Sequence, residues 1–112
     1  MNTSDIGAHA VKQGASLALQ YFQKRSELTI DLKGHQDYIS EADLAVEALI
    51  RQIITKSFPN DGFLGEEYGQ KAGTRQWVID PIDGTTNFLR GIPYFCTTLA
   101  LVDNEEVISG WI

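Results

Sequence analysis

Two acidic residues, Asp80 and Asp83, lie three positions apart directly after a short apolar run. The run, Trp77–Ile79, predicts a buried strand, which we expect Pro81 to end because proline has no backbone N–H to donate. Gly84 allows a sharp turn, and either threonine after it could cap a helix that begins there. Carboxylates bind hard divalent cations and the N–H groups of a helix start attract phosphate, so the stretch indicates metal-assisted phosphate chemistry.

The same stretch also has an interpretation in which it binds nothing. Asp-Pro and Asp-Gly are common turn dipeptides, and most acidic turns have no ligand. Further acids occur upstream: Gly65–Glu67 places two glutamates beside a glycine, and Ser40–Asp43 resembles a capping box with Asp in place of Glu. We expect Glu66, Asp80 and Asp83 to converge on one site.

The composition is that of a folded soluble domain. The 112 residues are 43% hydrophobic and 21% charged, which is enough for one core. The formal net charge of −6 argues against nucleic acid as the main partner, and a bound divalent metal would reverse the sign locally at a phosphate site. No membrane-length apolar run or secretory signal pattern is visible. The single cysteine, Cys96, predicts a reducing, cytoplasmic compartment, and its apolar neighbours predict a buried thiol.

The first half of the chain predicts two amphipathic helices. The first is Ser4–Arg25, with its first residue as the N-cap. The second begins with Ser40–Asp43, so Asp43 lies in the first turn, where the helix dipole favours an anion. Between them, Thr29–Leu32 predicts a short strand and Lys33–Asp37 a polar turn. The apolar faces are formed by Ile6, Ala10, Leu17, Ala18, Tyr21 and Phe22 in the first helix and by Val46, Leu49, Ile50, Ile53 and Ile54 in the second.

The second half predicts mainly β structure. Pro59–Gly62 is a turn signal, Gln70–Arg75 reads as an exposed loop, and Thr86–Gly91 as a short helix. Phe95–Val102 and Glu106–Ile112 predict a β-hairpin with an open outer edge, through which the chain could self-associate. Together these elements predict an α+β fold in which two amphipathic helices pack on a mainly antiparallel sheet.

Three separated segments resemble, in order and spacing, the inositol monophosphatase family of magnesium-dependent, lithium-sensitive phosphatases. They are Ser40–Asp43, Gly65–Glu67 and the long, specific motif Asp80–Phe88, which reads Asp-Pro-Ile-Asp-Gly-Thr-Thr-Asn-Phe. The resemblance extends over essentially the whole chain, but only over the amino-terminal part of the family's much longer domain. It implies that residues 1–112 are the amino-terminal portion of a layered α/β/α/β/α sugar-phosphatase fold. The family's remaining metal-binding aspartate and much of its substrate pocket lie in the carboxy-terminal portion.

The resemblance implies Mg²⁺ as the cofactor and assigns a set of metal ligands. Those ligands are Glu66, Asp80, Asp83 and the backbone carbonyl of Ile82. Mg²⁺ prefers oxygen ligands and retains waters, so a few carboxylates and one carbonyl suffice to hold it.

The resemblance also implies catalytic and substrate-binding roles. Glu66 and Thr85 would orient the attacking water, and Asp43 would match an acid close to the metals. The backbone N–H groups of Gly84 and Thr85, together with Asp83, would bind the substrate. Lys33 matches a family lysine as a further candidate.

The implied function is hydrolysis of a small phosphate monoester, inositol monophosphate, by metal-activated water in the intact protein. Other sugar or polyol phosphates and histidinol phosphate are alternative substrates. We expect a homodimer that binds neither nucleic acid nor membranes. We also expect the chain alone to be inactive, because the second metal would lack a carboxylate.

Other classes of protein fit the acidic motif less well. Haloacid dehalogenases use Asp-x-Asp-Gly-Thr with a covalent aspartate, whereas here two residues separate the acids. A calcium-binding loop would need a glutamate at the twelfth position from Asp80, which is Gly91. A non-catalytic module that binds metal weakly, or pairs through its hairpin edge, is the alternative outside enzymes.

Overall fold

The structure, a computed structural model, describes residues 2–25, 32–65 and 68–112, and gives the backbone alone for residues 25 and 32–37. The helices are α1 (Thr3–Arg25), α2 (Leu32–Ser57) and α3 (Thr85–Arg90), and the strands are β1 (Gly62–Gly65), β2 (Gly69–Lys71), β3 (Arg75–Asp83), β4 (Cys96–Asp103) and β5 (Glu106–Trp111). No helix in the described part of the chain combines the length and apolar character needed to cross a membrane.

The strands form one five-stranded sheet in the order β2-β1-β3-β4-β5. Among the described strands, β1 and β3 pair in parallel and the other three pairs are antiparallel, which confirms the mainly antiparallel sheet that the sequence predicts. The β4–β5 hairpin closes through Asn104 and Glu105, both at positive φ, which is the backbone of a type I′ turn. The hairpin predicted from the sequence is therefore confirmed.

The core lies between the two long helices and the sheet. Helix α1 packs on β3, β4 and β5, and α2 packs on α1 and β3. The predicted apolar faces are inward: Ile6, Ala10, Val46, Ile50 and Ile54 are all nearly or fully buried. They meet large strand side chains at the centre of the sheet, which are Phe63, Trp77, Ile79, Leu99 and Leu101. Burial of these side chains supplies the main driving force for the fold.

Helix α2 begins earlier than the sequence predicts. It starts at Leu32, so the polar turn predicted over Lys33–Asp37 is wrong, and the predicted capping box at Ser40 lies inside the helix. Tyr38 explains part of the extension, because its hydroxyl donates to the Tyr21 carbonyl at 2.7 Å and the two rings lie 5.5 Å apart. Packing on α1 thus stabilises a polar segment as helix. The strand predicted at Thr29–Leu32 falls mostly outside the described residues.

Helix caps and strand ends also differ from the predictions. Helix α1 is capped by Asn2, whose Oδ1 accepts the Asp5 N–H at 2.9 Å, and not by Ser4. Helix α3 has Gly84 at its N-cap with no side-chain cap, so the predicted threonine cap is wrong. The loop predicted at Gln70–Arg75 is exposed through residue 74, but it contributes the edge strand β2 and the start of β3.

Candidate metal and phosphate site

The predicted acids Asp80 and Asp83 lie at the end of β3, on either side of an irregularity. Asp80 is opposite Thr98 and Asp83 is opposite Cys96 on β4, with a register shift between the two pairs. Two residues of β3 therefore face one residue of β4, which is the pattern of a β-bulge. Pro81 does not end the strand as predicted, because the bulge accommodates its missing N–H.

The bulge changes the direction in which the second acid faces. In a regular strand, residues three apart point to opposite faces of the sheet. The extra residue restores the alternation, so Asp80 and Asp83 pair with Thr98 and Cys96, which are two apart on β4 and share a face. The Pro81 carbonyl accepts the buried Thr97 hydroxyl at 2.8 Å, which fixes the bulge from the neighbouring strand.

The carboxylates of both acids act electrostatically on the thiol of Cys96. Burial raises the pKa of this thiol above its ordinary value, and the carboxylates of Asp83 and Asp80 raise it further. Like charges nearby disfavour the thiolate, so the thiol stays protonated at neutral pH. Cys96 is half-buried and lies beside a cleft, so the prediction of a buried core thiol is wrong.

The cleft next to Asp83 has a volume of about 480 Å³. Its floor is the start of α3, where Gly84 adopts φ 96°, a left-handed conformation that favours glycine. Its outer wall includes Tyr94, which is 79% exposed and whose carbonyl accepts the Asn87 side-chain amide at 2.9 Å. The residues lining the cleft are Asp83, Gly84, Asn87, Pro93, Tyr94, Phe95 and Cys96. Asp83 therefore borders a space large enough for a small ligand.

The structure describes the side chains of some of the remaining predicted site residues and not of others. The side chain of Ile82 is buried, and Thr85 is exposed at the first position of α3. Asp43 is 7% exposed in the interior of α2, and not in its first turn as predicted. Glu66 lies outside the described residues, as does the side chain of Lys33.

The structure provides two of the oxygen ligands that a hard divalent cation needs. Asp80 and Asp83 supply oxygen donors on one face, which is the donor type that Mg²⁺ prefers. Within residues 2–25, 32–65 and 68–112, no group of three or more histidine, cysteine, aspartate or glutamate side chains is arranged to hold a metal. The donor chemistry is thus compatible with a metal that takes further ligands from elsewhere.

The sequence analysis missed Glu47, a buried acid that contacts the strand end leading to Glu66. Its carboxylate accepts the Tyr68 N–H at 2.9 Å and lies 3.2 Å from Arg51 Nε. A signal was present, since Asp43, Glu47 and Arg51 follow one another at steps of four and so lie on one stripe of the helix. That stripe borders the apolar face, where a glutamate needs a partner.

Comparison with known proteins identifies the family. The sequence profile described as the inositol monophosphatase family matches residues 2–112. The chain is 44% identical over 101 residues to an inositol-1-monophosphatase of Rhizobium meliloti (strain 1021), covering 88% of this chain and 38% of that protein. It is 41% identical over 100 residues to a histidinol-phosphatase of Streptomyces coelicolor, again covering 88% and 38%.

The solved structures agree with the sequence relatives. The extragenic suppressor protein SuhB from Bartonella henselae superposes with a TM-score of 0.82 at 33% identity, covering 96% of this chain and 43% of that one. The chain belongs to the inositol monophosphatase family, as its three acidic segments predict. It spans about two fifths of the length of the curated relatives that it matches.

Proposed function

We propose that this chain forms the amino-terminal portion of a Mg²⁺-dependent phosphatase domain that hydrolyses a small phosphate monoester, with inositol monophosphate as the first candidate substrate. The observation that carries the proposal is the bulge in β3, which turns Asp80 and Asp83 to one face of the sheet, where Asp83 lines a cleft. Family membership and the inositol-1-monophosphatase of Rhizobium meliloti support the class of reaction and substrate.

The proposed roles follow from the positions of these groups. Asp80 and Asp83 hold the cation, with Glu66 and the Ile82 carbonyl as further ligands. When bound, Mg²⁺ neutralises phosphate oxygens and activates water. Thr85 orients that water, and the first N–H groups of α3, at Gly84 and Thr85, bind the phosphate, because the first N–H groups of a helix have no partner within it.

Two more residues complete the proposed site. Asp43, buried in α2, acts as an acid close to the metals, as the family resemblance implies. Lys33 is proposed as an additional phosphate contact. We further propose a cytoplasmic homodimer.

Histidinol phosphate is the second candidate substrate. The observation that favours it is the 41% identity to the histidinol-phosphatase of Streptomyces coelicolor, which is close to the value for the inositol-1-monophosphatase. Since both substrates are phosphate monoesters, the metal and phosphate groups proposed here serve either one. Hydrolysis of the two compounds, measured side by side, distinguishes the candidates.

The proposal is tested in a chimera in which residues 1–112 replace the matching region of the Rhizobium meliloti relative. We expect Mg²⁺-dependent release of phosphate from inositol monophosphate. Asp83→Asn should lower turnover by about 10²–10³-fold, as loss of one preorganised electrostatic contact typically does. Asp103→Asn, at the far end of β4, is the matched control and should retain turnover.

Two results would contradict the proposal. One is a chimera that is folded by circular dichroism yet releases no phosphate from either candidate substrate. The other is an Asp83→Asn chimera with the turnover of the parent at saturating Mg²⁺.

A further inference from the structure

Helix α2 carries a fully buried acid that the proposed reaction does not use. Glu47 is 0% exposed, although it stands on a helix whose opposite side faces solvent. Burying a carboxylate costs free energy unless charges and hydrogen bonds compensate it. The contacts that Glu47 makes therefore indicate which role requires a carboxylate at this buried position.

The carboxylate of Glu47 contacts the chain on both sides of Glu66 and Glu67. On the carboxy-terminal side, the Tyr68 N–H donates to Glu47 Oε2 at 2.9 Å. On the amino-terminal side, Oε1 lies so close to Gly65 that a Cβ there would collide with it. A single side chain thus contacts the two residues that enclose Glu66 and Glu67.

Arg51 holds this carboxylate in place and binds the same strands. Its Nε lies 3.2 Å from Glu47 Oε2, near enough for an ion pair although the N–H is not aimed at the oxygen. Its Nη2 donates to the Gly69 carbonyl at the start of β2. The guanidinium also lies over the rings of Phe63, at 5.1 Å, and Tyr68, at 5.7 Å. Such contacts between a cation and an aromatic face are attractive.

The arrangement does more than stabilise the core. A well-packed apolar side chain often replaces a buried ion pair without loss of stability. An apolar side chain cannot accept the Tyr68 N–H, and it would leave that backbone group unsatisfied. What Glu47 supplies in particular is therefore an acceptor for the Tyr68 N–H that also lies against Gly65.

We infer that Glu47 is a positioning residue for the proposed metal site, because it holds Gly65 and Tyr68, the two residues that stand on either side of the proposed ligand Glu66 and of Glu67. The inference rests on the proposed function. Arg51 assists by holding the Glu47 carboxylate against these two residues. Groups that orient metal ligands typically change metal affinity by about 10–100-fold when they are removed.

The test is a Mn²⁺ titration of the 112-residue chain, followed by electron paramagnetic resonance. We expect Glu47→Gln to raise the Kd for Mn²⁺ by about 10–100-fold, because the neutral amide cannot pair with Arg51. Glu41→Gln removes the same charge from the exposed side of the same helix and should leave the Kd unchanged. Hydrogen exchange of the Tyr68 amide should accelerate in Glu47→Gln and stay unchanged in Glu41→Gln.

A second variant keeps the test decisive if Glu47→Gln fails to fold. Gly65→Ala pushes on the same carboxylate from the strand side, and it should weaken Mn²⁺ binding in the same direction. Gly110→Ala is its control, because the new Cβ would only touch the Leu99 carbonyl oxygen at 3.9 Å.

The outcomes separate this inference from the proposed function. A wild-type chain that binds no Mn²⁺ would overturn both. A wild-type chain that binds Mn²⁺, with a folded Glu47→Gln variant of equal affinity and equal Tyr68 exchange, would overturn the positioning role and leave the proposed function standing.

Discussion

One inserted residue in β3 decides how two side chains are presented. Without the bulge, Asp80 and Asp83 would point to opposite faces of the sheet, and a shared ligand would be excluded. With it, both pair with residues on one face of β4. Pro81 suits this position, since the bulge leaves its missing N–H outside the regular ladder. The bulge therefore places two acids that stand three residues apart in the sequence on the same face of the sheet.

The raised pKa of the Cys96 thiol gives a prediction at the scale of single residues. Because burial and the charges of Asp83 and Asp80 raise its pKa, less thiolate is present at pH 8 than in a free cysteine. Alkylation by iodoacetamide should therefore be slower than for free cysteine, and its rate should rise to a plateau only at higher pH. Asp83→Asn should lower the pKa and speed the reaction at pH 8, whereas Asp103→Asn should not.

One result would contradict this prediction for the Cys96 thiol. An alkylation rate against pH that is identical in the chain and in Asp83→Asn would show that the Asp83 carboxylate does not act on the thiol. The shared face proposed for the two acids would then be wrong.

Sequence reasoning at the residue scale succeeds where a motif is local. The glycine turn at Gly84 and the short helix after it can be anticipated from residue types in one short stretch, whereas the bulge that keeps Asp80 and Asp83 within β3 could not. Glu47 could not be assigned in this way. Its partners, at Gly65 and Tyr68, are far along the chain and become neighbours only when α2 packs on the sheet.

One acid, Asp61, joins the turn between α2 and β1 to strand β3. Asp61 accepts two hydrogen bonds from Arg75 Nε, at 3.2 and 3.1 Å, and one from its Nη2 at 2.8 Å. It also accepts the indole N–H of Trp77 at 2.8 Å. The Arg75 guanidinium lies 4.9 Å from the ring of Phe58, so the end of α2 is tied to the start of β3.

This network gives a stability prediction. Asp61→Ala should lower the free energy of unfolding by about 1–3 kcal/mol, because it leaves a buried indole N–H and a guanidinium without their acceptor. Urea denaturation followed by tryptophan fluorescence measures the change. Asn60→Ala, in the same exposed turn, is the control and should change it little. Equal midpoints for the two variants would refute the role assigned to Asp61.

At the level of elements, hydrophobic periodicity predicts the helices but not their limits. The spacing of Val46, Ile50 and Ile54 identifies α2 correctly. Its start at Leu32 could not be found, because the polar residues before Ser40 read as a turn, and their helical state depends on contacts with α1. The three-residue edge strand β2 is likewise set by pairing with β1 and not by local preference.

The whole molecule presents an apolar edge at β5. Val107 is 72% exposed, Ile108 55% and Ile112 89%, and β5 has a single neighbour in the described sheet. Edge strands with exposed apolar side chains promote pairing between chains. The β4–β5 hairpin follows from sequence patterns, whereas the state of its outer edge depends on what other polypeptide is present.

We accordingly predict that the 112-residue chain self-associates through β5. Light scattering coupled to size-exclusion chromatography should give a mass above that of the monomer, which is 12.4 kDa. Ile108→Lys should shift the chain towards the monomer, since a charge on an edge strand opposes pairing. Leu19→Lys, at an exposed apolar position on α1, should not. A wild-type monomer at all concentrations would contradict the prediction.

The central claim is that Asp80 and Asp83 hold a divalent cation, and the most direct measurement is Mn²⁺-induced relaxation in the ¹⁵N spectrum of the chain. We predict that substoichiometric Mn²⁺ broadens the amide signals of Asp80, of residues 82–85 and of Cys96 and Thr98 first, and that Asp83→Asn abolishes this pattern. Broadening centred on another acidic segment, such as the turn at Glu105 and Glu106, or the same pattern in Asp83→Asn, would contradict the account.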